Sequence, residues 1–159
     1  IPNNLIFLIP IFYLLFNIVY VLFSPIAGKL SDKIGRKRVI VIGLSFLICV
    51  CIVATFPIQV SIFSVFLVAI LFGIYGLYRG FVDPVARAYV GDLTGKEKRG
   101  RAYGYYYLSI GLISLPESLL FGMIYEIFGY FWAFTYITLL LIICVIIFIK
   151  TDFSKMISK

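Results

Sequence analysis

The residues able to do chemistry in this chain are few, and they stand where charge is costly. Arg79, Asp83 and Arg87 recur at i, i+4 and i+8 within an apolar run, which puts them along one side of a helix. Glu117 stands next to Pro116 in a second apolar run. Charged side chains at such depths usually face the protein interior or a water-filled cavity, and they are functional candidates by default. The chemistry open to them is ion pairing, proton uptake and recognition of a solute at a cavity wall. Pro84 and Pro116 each free a backbone carbonyl and permit bending at that depth. Two plainer roles compete with a functional one. The charges could form a static, neutral cluster that fixes helix register, and Arg87 could snorkel to the nearby interface. Catalytic centres of the common kinds are not expected. The chain has no histidine, which excludes histidine triads, histidine proton relays and histidine-containing metal sites. Cys49, Cys51 and Cys144 lie inside apolar runs without zinc-site spacing, and Cys49 and Cys51 would point about 200° apart on a helix. No metal and no cofactor is expected.

Five apolar segments must position these residues. Hydrophobic residues make up 63% of the 159-residue chain and charged residues 13%, against about 45–50% and about 25% in ordinary globular domains. A soluble domain of this size could not hide so much apolar surface. The spans run over 5–27, 39–56, 61–90, 102–123 and 128–149, each near the ~20 residues needed to cross a bilayer. Helices are required, because backbone groups in lipid must be satisfied within each segment. A β-barrel would need alternating strands, and Leu139–Ile149 does not alternate. The fold class is therefore all-α, a polytopic membrane protein.

The net charge of +7 has a topological explanation. Lys29, Lys33, Arg36, Lys37 and Arg38 follow the first span; Lys96, Lys98, Arg99 and Arg101 follow the third; Lys150, Lys155 and Lys159 follow the fifth. The connections around Pro57–Val60 and Tyr125–Tyr130, and the stub Ile1–Asn4, carry no basic residue. The positive-inside rule then puts the C-terminus in the cytoplasm and the N-terminal end on the outer face, most simply of the plasma membrane. Tyr103 and Tyr105–Tyr107 inside, and Tyr125, Tyr130 and Trp132 outside, suit the two interfaces. Nucleic acid is not an expected partner; the lipid bilayer is. From the turn near Lys96, Arg79 lies about 17 residues back and Glu117 about 21 forward, which at ~1.5 Å per residue is nearly the same depth. That predicts an Arg79–Glu117 ion pair, with Asp83 bridging Arg79 and Arg87 and the four charges summing to zero. Asn17 and Pro10 of the first span could line the same cavity.

Residues 28–38 read Gly-Lys-Leu-Ser-Asp-Lys-Ile-Gly-Arg-Lys-Arg. A short loop between antiparallel helices suits Gly28 and Gly35, and Asp32 can cap a helical turn or accept from Arg36 and Arg38. Gly28, Asp32, Lys33, Gly35, Arg36 and Lys37 resemble, at every defined position, the G-x-x-x-D-[RK]-x-G-R-[RK] signature of the major facilitator superfamily of secondary transporters. Gly73, Gly76, Arg79, Gly80 and Pro84, then Gly91-Asp92-Leu93 and Lys98–Gly104, are similar to the following helices of that family. Small residues at Gly73, Gly76 and Gly80 would also let helices pack closely. The pattern Gly28-x-x-x-Asp32-x-x-Gly35 recurs as Gly122-x-x-x-Glu126-x-x-Gly129, offset by 94 residues and without its basic neighbours. An inverted 3+3 repeat leaves such a trace.

The resemblance implies five helices of a six-helix half, with spans one and two matching four and five, and span three lacking its counterpart. A helix before Ile1 is then expected, and the short tail after span five favours the C-terminal half. The implied activity is alternating-access transport of a small-molecule solute, in which the missing N-terminal half is the main partner and Asp32 and Arg36 form a cytoplasmic latch. Asp83 or Glu117 could be a protonation site of a symporter or antiporter. A non-transporting scaffold or receptor on the same fold, or a membrane-embedded enzyme, are the alternatives.

Overall fold

A computed structural model describes residues 8–56 and 62–151. Five helices follow one another: α1 Leu8–Ile34, α2 Arg36–Ala54, α3 Ile62–Leu93, α4 Arg99–Phe128 and α5 Tyr130–Lys150, with a 3₁₀ turn at Lys96–Lys98 before α4. All five are long and apolar enough to cross a membrane, and the described residues contain no strand. The stub Ile1–Asn4, the connection 57–60, Lys155 and Lys159 lie outside the described residues.

The first basic connection is shorter than a loop over 28–38. Helix α1 continues through Asp32 to Ile34, α2 begins at Arg36, and the reversal is made by Gly35 alone. Gly35 adopts φ 97° and ψ 144°, an extended positive-φ conformation that costs other residues about 1–3 kcal/mol. Gly28 is interior to α1 with open space where a side chain would lie, so the turn does not depend on it. The α4–α5 connection repeats the device. Gly129 has φ 86° and is the other positive-φ residue among those described. At the first turn the Gly35 N–H donates to the Ser31 carbonyl at 3.0 Å and the Gly35 carbonyl accepts from Val39 at 3.4 Å. At the second, the Gly129 N–H donates to Tyr125 at 3.1 Å and the carbonyl accepts from Ala133 at 3.3 Å. Each partner is displaced by 94 residues from its equivalent, and Val39 and Ala133 are both 0% exposed.

Helices α1 and α3 run side by side in the same direction. Phe12 packs on Phe72 and Phe16 on Tyr75, with ring centroids 5.6 and 5.4 Å apart. Gly76 makes this approach possible, since a Cβ there would fall 2.8 Å from the Phe16 carbonyl oxygen. Gly80 is similarly close to the Tyr20 carbonyl, whereas Gly73 faces open space and plays no part. Helix α2 runs antiparallel to α3, with Gly43 against Val82 and Phe46 edge-on to Phe81. Ala27, Val39, Ile40, Phe81 and Val85 form the buried cluster where α1, α2 and α3 meet. Helix α4 has no buried residue. It touches α3 at its basic end, where the Tyr103 hydroxyl donates to the Arg87 carbonyl at 3.2 Å. Toward its other end it packs on α5, through Phe121 and Phe134 at 5.5 Å. Helix α4 therefore leaves α3 as it crosses.

Candidate functional site

Two groups of polar residues stand out. The first is at the basic end, around Arg36. Gly35 starts α2 with Arg36 projecting across three helices. Its Nη1 donates to Ser31 Oγ at 2.5 Å and pairs with Asp32 Oδ1 at 2.9 Å, both on α1. Its Nε pairs with Asp92 Oδ2 at 3.0 Å, at the end of α3. Ser31 is 2% exposed and donates in turn to the Gly28 carbonyl at 2.7 Å. Lys37 turns the other way: its Nζ donates to the Ile149 and Thr151 carbonyls at 2.8 and 2.7 Å and lies 5.8 Å from the Phe148 ring centre. A cation at these last carbonyls satisfies orphan acceptors and suits the helix dipole of α5. Arg36 and Lys37 thus tie the basic ends of α1, α2, α3 and α5 together. Lys33 is exposed at the end of α1. Of the signature residues, Asp32, Gly35, Arg36 and Lys37 have a direct geometric part. Ser31 and Asp92 complete the clamp; the sequence offered Asp92 only within Gly91-Asp92-Leu93, and Ser31 not at all.

The second group lines an open cavity of about 300 Å³ between α1, α3 and α4, walled by Tyr20, Arg79, Asp83, Arg87, Tyr106, Tyr107 and Ile110. The i, i+4, i+8 spacing on α3 does bring its three charges together. Arg79 Nη2 pairs with Asp83 Oδ2 at 2.9 Å, and Tyr78 lies beside Arg79. Arg87 does not share that carboxylate. Its Nε donates to the Asp83 backbone carbonyl at 3.2 Å, and the Tyr107 side chain lies beside it. This bond holds the Arg87 Nε against the preceding turn of α3. Measured from Leu93 at ~1.5 Å per residue, Arg87 is about 9 Å, Asp83 about 15 Å and Arg79 about 21 Å up the helix.

Glu117 is not part of this cavity, and the Arg79–Glu117 ion pair does not form. Glu117 lines a separate cavity of about 410 Å³ with Cys51, Ser114, Ser118, Phe121, Phe134 and Ile137, between α2, α4 and α5. An equal count of residues from the turn carries no information on lateral position, and α4 has parted from α3 by Glu117. Asp83 likewise does not bridge two arginines with its carboxylate. Helices α3 and α4 continue unbroken through Pro84 and Pro116. Asn17 spends its amide on the Tyr13 carbonyl of its own helix at 2.7 Å, and Pro10 is exposed; α1 reaches the cavity through Tyr20 instead. Tyr106 and Tyr107, which the sequence suggests as interface aromatics, are cavity walls. Among the described residues no cluster of His, Cys, Asp or Glu could hold a metal ion.

The family model for the Major Facilitator Superfamily matches residues 6–156. An uncharacterized MFS-type transporter of Methanocaldococcus jannaschii is 40% identical over 121 residues, covering 76% of this chain and 29% of the relative. Multidrug resistance protein 3 of Bacillus subtilis is 34% identical over 113 residues, 69% of this chain and 20% of the relative. The multi-drug resistance efflux pump PmrA of Streptococcus pneumoniae is 35% identical over 142 residues, 84% of this chain and 33% of the relative. The chain therefore spans a third or less of the length of these relatives. No solved structure matches it.

Proposed function

The chain belongs to the major facilitator superfamily, and we propose that it forms five helices of the C-terminal half of a secondary transporter that moves a small solute by alternating access. It is an integral, multi-pass membrane protein, and its family points to transport, not enzymatic chemistry. The observation that carries the reading is the open cavity between α1, α3 and α4, where three charges and three tyrosines face a space of about 300 Å³ within apolar helices. Polar groups held at that depth suit a solute pathway. The names of two relatives speak of multidrug resistance and efflux, which favours export as the direction.

The paired glycine turns support an inverted repeat in which α1 and α2 correspond to α4 and α5. Helix α3 then lacks a partner, which a helix preceding α1 would supply. With the basic turns in the cytoplasm, the Arg36 clamp is a cytoplasmic latch, and its contacts belong to one of the two access states. The remaining half of the protein completes the cavity opposite α3.

The test uses the full-length protein in proteoliposomes and a panel of anionic, cationic and neutral fluorescent dyes. At least one dye should cross with the protein and not without it. Failure of every dye would leave a non-transporting scaffold as the better description. Asp32→Asn should then lower transport about two- to five-fold with normal expression, the scale expected for a largely exposed ion pair. Unchanged transport in that variant would sink the latch.

A further inference from the structure

We propose that the cavity between α1, α3 and α4 binds an anionic group, a carboxylate, sulfonate or phosphate on an amphiphilic molecule, with Arg87 as its principal contact. The proposal rests on the transport reading above and names the substrate class of that same site.

The argument begins with charge. With Glu117 in another cavity, Arg79, Asp83 and Arg87 leave one net positive charge on the cavity wall. Asp83 is in contact with Arg79 at 2.9 Å and its charge also reaches Arg87, but no carboxylate among the described residues comes within ion-pair distance of Arg87. Arg87 is exposed toward the open cavity on an apolar helix, where a ligand's negative charge would complement the excess positive charge. Arg87 is also suited to the task. A guanidinium carries five N–H donors in a planar fork that matches carboxylate, sulfonate or phosphate oxygens. One donor is used on the Asp83 carbonyl and another on the Tyr107 hydroxyl, which leaves the remaining donors of the fork for a ligand.

The rest of the lining agrees with an amphiphile. Tyr20, Tyr106 and Tyr107 offer phenol hydroxyls that can donate to an anion and ring faces that can cover an apolar body, and Ile110 adds an apolar wall. A cation would find the opposite. Its one possible counter-ion, Asp83, would have to give up Arg79, and the cavity would still repel it.

Binding is measured on detergent-solubilised full-length protein with two anionic dyes, carboxyfluorescein and a pyrene sulfonate, and one cationic dye, ethidium. Saturable binding of an anionic dye is expected. Arg87→Gln should weaken it about 10- to 100-fold, the range for a lost charge-assisted pair of hydrogen bonds. Arg87→Lys, which keeps the charge, should weaken it less, and ethidium binding should not fall in either variant. The equal loss of all ligands would mean a folding defect, which Arg87→Lys and a thermal melt identify, and the lysine variant then decides the matter. No saturable anion binding, or anion binding indifferent to both substitutions, would overturn the proposal. Mixed micelles separate the sources of the anion. Competition by phosphatidylglycerol that Arg87→Gln abolishes assigns the site to a lipid headgroup, and its absence assigns it to a soluble anion. Anion binding without flux of any dye would fail the transport reading and keep the site. Flux of ethidium alone, without anion binding, would do the reverse.

Discussion

Replacing Asp92 with Asn removes the one partner of Arg36 that lies on α3, and its effect can be sized from the contact. The Arg36–Asp92 pair is 3.0 Å long with side chains 26% and 54% exposed. Water screens a pair this open, and such pairs contribute about 0.2–1 kcal/mol. If the contact exists in one access state and not the other, its loss shifts the balance between them by about 1.4- to 5-fold. The clamp gathers the basic ends of α1, α2 and α3, so its loss should open the cavity from that side. A readout that needs no substrate is the labelling of a single cysteine at position 110, which lines the cavity. In full-length protein with Cys49, Cys51, Cys144 and every cysteine of the remaining sequence replaced, an impermeant maleimide applied from the cytoplasmic side should label Ile110→Cys faster by that factor when Asp92→Asn is added. Arg36→Gln should act at least as strongly, because it also frees Ser31 and Asp32. The double variant should be no stronger than Arg36→Gln, since the pair is already gone. Labelling that does not rise with Asp92→Asn would refute the state-dependent clamp. A double variant whose effect equals the product of the two singles would show that Arg36 and Asp92 act separately.

Two further predictions follow from the packing. Gly76→Ala puts a Cβ 2.8 Å from the Phe16 carbonyl and should destabilise the protein by about 1–3 kcal/mol through overpacking, whereas Gly73→Ala meets nothing within 4 Å and should be neutral or stabilising by up to about 1 kcal/mol. Thermal melts of the detergent-solubilised protein would compare them, and equal effects would contradict the α1–α3 contact. Arg79→Gln and Glu117→Gln lie in separate cavities, so their effects on transport should multiply; a double variant milder than either single would mean that the two charges do pair.

Helix number and the grouping of charge were readable because they depend on hydropathy and chain order alone. Helix ends were less so. Hydropathy falls at Ala27, but Gly28 to Ile34 remain helical, because leaving the apolar layer does not oblige a helix to stop. The stopping signal was Gly35, which the signature already contained. Lateral position was the other blind spot. The spacing of Arg79, Asp83 and Arg87 fixed one face of one helix, and the structure keeps them together. Glu117 needed the path of α4 relative to α3, which no periodicity within either helix encodes. Tyr106 and Tyr107 illustrate the same limit: their sequence context fits an interface belt as well as a cavity wall.

The two glycine turns, equivalent under the proposed repeat, share one geometry and differ in chemistry. Backbone geometry is shared down to which residues exchange hydrogen bonds across Gly35 and Gly129. The residue that follows each glycine differs in chemistry. Arg36 closes its turn by ion pairs to Asp32 and Asp92. Tyr130, its equivalent 94 residues on, closes the other by donating its hydroxyl to the Thr55 carbonyl at the end of α2, at 2.8 Å. Ion pairs among exposed side chains are weak and reversible. A neutral phenol held on a helix-end carbonyl is less sensitive to salt and to a partner's charge. Under the proposed alternating access, the basic end would be the one that releases, and the opposite turn the hinge about which the helices move.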